Sequence, residues 1–164
     1  MTDINVSIII VSTDDYMSVI ERYRYLKRFH VIKEIVLVND GLKWNKSGRE
    51  DIFLLIDEPT NHYSLAACRN KGAKLASSDY LWFIDDDCFP SPTTLSQGLP
   101  DLHKHDVIFG LRPNINRFNV SKSKMFMKYI GELHVISTEE CLQDGIIVEN
   151  NMIIKKELFE QLSG

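Results

Sequence analysis

Three consecutive aspartates, Asp85, Asp86 and Asp87, follow the apolar and aromatic run Tyr80-Leu81-Trp82-Phe83-Ile84 and precede Cys88-Phe89-Pro90. A run of that composition is long enough for a buried strand, so the core delivers three negative charges to one strand end. Adjacent carboxylates repel one another and require a positive partner. A divalent metal meets that need simply, and all-oxygen donors suit magnesium or manganese held together with substrate phosphates. The chemistry suggested first is a metal and diphosphate site at the carboxyl end of a parallel strand, where ligands of open α/β sheets gather. An acidic, solvated turn ended by Pro90 and Pro92 is the plain alternative.

The elements before this stretch must position it. Val6-Ser7-Ile8-Ile9-Ile10-Val11 is rich in β-branched residues and nearly continuous in apolar character, as expected of a strand covered on both faces. Ser12 to Asp15 can cap a helix in which Tyr16, Val19, Ile20, Tyr23, Leu26 and His30 recur at helical spacing. Ile35 to Val38 is a second buried strand, and Asn39-Asp40-Gly41 is a turn signal that puts Asp40 at its carboxyl end. Trp44 to Asp51 reads as a polar loop, with Lys43, Lys46 and Arg49 solvated. Ile52 to Ile56 gives a third strand, closed by Asp57-Glu58-Pro59. A helix over Leu65 to Ala76 then places Leu65, Cys68, Gly72, Leu75 and Ala76 on one face, with Gly72 allowing close approach to the sheet. Past Pro92 the pattern predicts a short helix from Thr94 to Leu102, a strand at Val107 to Gly110, an irregular or helical piece from Met125, apolar runs at Ile146 to Val148 and Met152 to Ile154, and a helix starting near Lys155. The alternation predicts a doubly wound α/β sheet with right-handed crossovers.

Asp14, Asp40 and Asp85 to Asp87 each follow a separate predicted strand, so a parallel sheet would collect them along one edge. Arg69 lies on the helix before the triple aspartate, where a guanidinium suits a diphosphate or a base, or else pairs at the surface with Asp79 or Glu58. The opening strand, Val38-Asn39-Asp40-Gly41, the helix start Ala67-Cys68-Arg69-Asn70-Lys71-Gly72 and Phe83-Ile84-Asp85-Asp86-Asp87 with Pro90 occur in an order and spacing that resemble the nucleotide-sugar-binding half of family 2 glycosyltransferases. The match covers about the first hundred residues, and Asn151 to Phe159 resembles, more loosely, a segment that such enzymes place near the acceptor.

That resemblance implies a GT-A fold, a Rossmann-type, mostly parallel sheet flanked by helices. It implies a nucleoside-diphosphate-sugar donor, with a UDP-sugar favoured, a manganese or magnesium ion, and a glycan, lipid or small-molecule acceptor. Val11, Ser12 and Thr13 fall where the family's first loop meets the nucleobase, Asp40 matches an aspartate that hydrogen-bonds a pyrimidine, and Arg69 belongs to the same pocket. Asp85 to Asp87 match the Asp-x-Asp region, with Asp87 and Asp85 as metal ligands and Asp85 or Asp86 near the ribose. Transfer with inversion is implied. The first loop lacks the family's usual proline, aromatic and asparagine, and no residue matches its acceptor-side base; Glu149 reads as a loop carboxylate. The 164 residues are therefore expected to form a single domain, the amino-terminal part of a longer enzyme.

Bulk properties agree with a globular protein. A net charge of −4 gives no footprint for nucleic acid or an anionic membrane, and no segment approaches transmembrane length. Cys68, Cys88 and Cys141 are odd in number and lack metal-ligand spacing, which predicts reduced thiols in the cytoplasm. Trp82 and Phe83 are read as core, and His62, His103, His105 and His134 have no supporting partners. The rival from a different class is a phosphoreceiver module, with Asp57 phosphorylated beside magnesium held by Asp14 and Asp15; a dehalogenase-type phosphatase using Asp85 and Asp87 ranks below it.

Overall fold

The computed structural model describes residues 4–41, 44, 46–57, 64–90, 100, 102, 104–110, 133–134 and 151–163. The expected pieces at Met125 to Tyr129 and Ile146 to Val148, most of that at Thr94 to Leu102, and His62, Lys43 and Glu149 lie outside these residues. In chain order come β1 (Val6–Ser12), α1 (Tyr16–Tyr23), a 3₁₀ turn (Arg24–Arg28), β2 (Ile32–Asn39), β3 (Gly48–Glu50), β4 (Phe53–Ile56), α2 (Leu65–Leu75) and β5 (Tyr80–Asp85). β6 (Val107–Gly110), β7 (Leu133–His134), β8 (Asn151–Lys155) and α3 (Lys156–Ser163) follow.

Among the described residues these form one eight-stranded sheet in the order β3-β4-β2-β1-β5-β8-β6-β7. β4, β2, β1 and β5 run parallel, and β3 and β8 pair antiparallel at either side of that block. Counting parallel strands alone, the order is 3-2-1-4, the first part of a Rossmann-type sheet. This order removes the phosphoreceiver reading. In a receiver sheet of order 2-1-3-4-5 the acceptor strand lies beside the first strand, whereas here β2 separates β1 from β4, the strand that leads to Asp57.

The sheet buries both faces. Ile8, Ile10, Ile35, Leu37, Trp82 and Ile84 meet Val19, Ile20 and Tyr23 of α1 on one side. Ile9, Val36, Val38, Leu81 and Phe83 meet Cys68 and Ala73 of α2 on the other, with Leu158 and Phe159 of α3 packed against them. Both faces being dry explains why these strands read as unbroken apolar runs.

Four local expectations change. Gly48–Glu50 is an edge strand, not loop, because its ladder to β4 and the 2.6 Å ion pair from Arg49 to Glu34 fix it without any apolar pattern. Lys46 likewise pairs with Glu50. The helix from Tyr16 stops at Tyr23 and tightens into the 3₁₀ turn, which carries Leu26 into the core and closes with Phe29 N–H on the Leu26 carbonyl at 3.0 Å. Leu65 and Leu75 stay 42% and 50% exposed, because the Ser64 cap sets α2 in a phase that buries Cys68, Arg69, Gly72 and Ala73.

Gly72 is where α2 touches the sheet. A Cβ there would lie 2.7 Å from Ile9 Cγ2 and 3.1 Å from Val38 Cγ2, on stiff β-branched side chains of buried strands. Gly72→Ala would gain about 1 kcal/mol of helix propensity but incur roughly 1–3 kcal/mol of overpacking. The expected result is a net loss of about 1 kcal/mol, a fall in melting temperature of roughly 2–4 °C by calorimetry.

Candidate functional site

The parallel register builds the site. Val11 pairs with Asp85, Ser12 pairs with Asn39, and the Asp40 N–H donates to the Ser12 carbonyl at 2.9 Å. Three strands thus end on one line. Beyond it opens a cleft of about 270 Å³, walled by Val11, Ser12 and Thr13 at the end of β1, Asp40 after β2 and Asp85 to Asp87 at the end of β5, with Leu65 at the start of α2. Gly41 follows with φ +125°, a conformation that glycine adopts without strain as the chain leaves Asp40.

Asp14 reaches the same edge but turns away from the cleft. Its carboxylate accepts from Arg22 Nη2 at 2.8 Å, and its carbonyl accepts from Trp44 Nε1 at 2.9 Å. Arg69 is buried rather than at the surface, and Glu58 lies outside the described residues. Arg69 is 8% exposed and places Nη2 2.8 Å from Asp85 Oδ1, so it supports one wall of the cleft instead of joining its lining.

The positive partner that the triple aspartate requires is supplied in part by the protein. Arg69 faces Asp85, Ser12 Oγ donates to Asp86 Oδ2 at 2.6 Å, and Arg22 Nη1 donates to the Asp86 carbonyl at 2.5 Å. The turn itself is closed by Cys88 N–H on the Asp85 carbonyl at 3.0 Å. Below it the Tyr23 hydroxyl lies 2.7 Å from the Cys88 carbonyl and 3.1 Å from that of Asp85. Burial raises the Tyr23 pKa well above the usual tyrosine range, so this hydroxyl keeps its proton and remains a donor. The Cys68 thiol is raised too, first by burial and then by the Asp40 carboxylate 3.9 Å away.

The two carboxylates of the donor set, without the softer Cys88 thiol, fit a hard divalent ion. Ligand atoms of Asp85, Asp87 and Cys88 lie within 4.8 Å of one another, and Asp87 is exposed. Two carboxylates on an open turn leave coordination positions for phosphate oxygens, the usual arrangement for magnesium. Arg22, Tyr23 and Leu65 were not read from the sequence as site residues. Arg22 and Tyr23 lie more than sixty residues from the turn they hold, and no local pattern marks them for that role. Trp82 is core, as expected, and its Nε1 donates to Asn151 Oδ1 at 2.8 Å where β8 begins beside the end of β5. Of the Asn151 to Phe159 segment, Phe159 packs on Phe83, with ring centroids 5.0 Å apart.

Fold and site together define an α/β domain with an acidic cleft at the carboxyl ends of its parallel strands. The chain belongs to glycosyl transferase family 2, whose model matches residues 7–163. No curated protein sequence matches it. Among solved structures it is similar to TarS 1-349 of S. aureus, with 18% identity and a TM-score of 0.67 over 97% of this chain and 49% of that one. It is also similar to the mannosyltransferase PcManGT from Pyrobaculum calidifontis, in complex with GDP-Man and Mn2+, with 15% identity and a TM-score of 0.63 over 98% and 47% of the two chains. A third likeness is to the bifunctional IspDF from Campylobacter jejuni, with 14% identity and a TM-score of 0.57 over 96% and 42%. The chain therefore spans about half the length of these three structures. The likenesses establish the GT-A, Rossmann-like fold expected from the sequence, and the family match assigns the chain within it.

Proposed function

We propose that this chain binds a nucleoside-diphosphate sugar, a UDP-sugar in preference, together with manganese or magnesium, and takes part in inverting glycosyl transfer to a glycan, lipid or small-molecule acceptor. The observation that carries the reading is the convergence of Ser12, Asp40 and Asp85 to Asp87 on one cleft at the end of β1, β2 and β5. Family membership supports it, as does the manganese and GDP-mannose complex of PcManGT.

In this reading Asp40 accepts a hydrogen bond from the base while Val11, Ser12 and Thr13 form the adjoining wall. Asp87 and Asp85 hold the metal, which supplies Lewis-acid stabilisation of charge on the leaving diphosphate. Asp86 is held toward Ser12 on the ribose side. Arg69 holds Asp85 in place through their ion pair. Among the described residues no helix is long and apolar enough to cross a membrane; we place the domain in the cytoplasm, where cysteine thiols remain reduced.

Calorimetric titration with UDP, GDP and dTDP, each with manganese and then with chelator, tests the proposal. Metal-dependent binding of UDP is the expected result. A folded chain that binds none of the three would refute a donor site here, and preference for GDP would overturn the pyrimidine role given to Asp40.

A further inference from the structure

We propose that Arg22 is a positioning residue of the metal-holding turn, clamping the Asp86 main chain to α1 so that the carboxylates of Asp85 and Asp87 face the cleft. The inference rests on the reading of the cleft given above. Arg22 belongs to α1 and is not part of the cleft wall. Its Nη1 donates to the Asp86 carbonyl at 2.5 Å and its Nη2 to Asp14 Oδ2 at 2.8 Å, so one guanidinium joins the loop after β1 to the turn after β5. The group is 25% exposed and its Cζ lies 6.0 Å from the centroid of the Phe89 ring, which stacks on Tyr23 at 6.2 Å and 16°.

The choice of acceptor matters. Arg69 offsets the negative charge of the turn by engaging an oxygen of Asp85 that is itself a candidate ligand. Arg22 meets the turn at a main-chain carbonyl, and the carboxylate it engages is that of Asp14, which does not line the cleft. With Tyr23 beneath the carbonyls of Asp85 and Cys88, it fixes the carbonyls on which the turn hangs. The planar fork of arginine reaches two diverging acceptors at once, which an ammonium does not reproduce.

Manganese binding to the full chain, followed by the loss of the free-ion paramagnetic resonance signal, tests this with and without UDP. Arg22→Ala is expected to weaken manganese about tenfold or more, the scale of one charge-assisted hydrogen bond. Guanidinium ion at roughly tens of millimolar should restore affinity by occupying the vacated site, while sodium chloride at equal concentration should not. If Arg22→Ala does not fold, Arg22→Met keeps the apolar stem and carries the same expected loss. Unchanged manganese affinity in either variant, or a loss in Arg22→Ala that guanidinium does not reverse, overturns the positioning role while leaving the donor site standing. Failure of the unsubstituted chain to bind manganese overturns both.

Discussion

Asp87→Ala is expected to remove the manganese-dependent part of UDP binding and to leave the fold intact. Asp87 is exposed at the middle of a turn whose main chain is held from below by Arg22 and Tyr23, so its side chain is not part of the buried core. Surface substitutions of this kind change stability by no more than about 0.5 kcal/mol. The neighbouring carboxylates do not allow so clean a test. Asp85→Ala would leave the buried Arg69 guanidinium without its 2.8 Å partner, mixing a stability loss with the loss of a ligand. Titrating UDP into Asp87→Ala with manganese and with chelator separates the two effects. Equal affinities, both at the metal-free level, are the expected result, and a metal effect as large as in the unsubstituted chain would exclude Asp87 as a ligand.

The second large effect lies at the opposite end of the sheet. Glu34, with its side chain 1% exposed, accepts from Ser7 Oγ at 3.0 Å, Ser77 N–H at 2.6 Å, Ser77 Oγ at 2.8 Å and Arg49 Nη2 at 2.6 Å. One carboxylate therefore ties β1, β2 and β3 to the loop before β5. Glu34→Ala removes the acceptor for all four donors and should cost about 3 kcal/mol, within the range for breaking a buried charged pair. Burial pushes the Glu34 pKa up, but the hydrogen bonds from Arg49, Ser77 and Ser7 outweigh it and hold the group below the ordinary value of 4.5. A depressed folded value means that the contribution is complete above pH 4.5 and is lost as pH falls through the folded value. Urea denaturation should thus show the gap between the unsubstituted chain and Glu34→Gln at neutral pH narrowing as pH falls below 4.5. A gap independent of pH would show that the charge of Glu34 does not stabilise the fold.

Much of this arrangement was legible because doubly buried parallel strands announce themselves. Ile8 to Val11, Ile35 to Val38 and Leu81 to Ile84 are apolar at every position, and the acids that end two of them must emerge at the same edge once the strands run parallel. Gly72 was legible for a related reason, since a glycine inside a helical pattern needs a close neighbour to explain it. What stayed hidden depends on partners distant in the chain. Glu34 follows Lys33 and looks like any surface charge, yet its partners sit 15, 27 and 43 residues away. β3 has no apolar alternation and exists through its ladder to β4. The apolar residues Leu65 and Leu75 misled the reading of α2, whose buried face includes Arg69 because Asp85 is there to receive it. Arg22, too, was one polar residue among several on an amphipathic helix until the turn was folded over it.

The most direct measurement of the central claim is the anomalous scattering of manganese in crystals grown with UDP. The account predicts one peak within about 2.0–2.6 Å of carboxylate oxygens of Asp87 and Asp85, the range for oxygen ligands of a hard divalent ion, with the uracil beside Asp40. Ordered UDP with manganese bound away from the Asp85 to Asp87 turn, or a nucleotide lodged outside the cleft between Ser12 and Asp40, would contradict it.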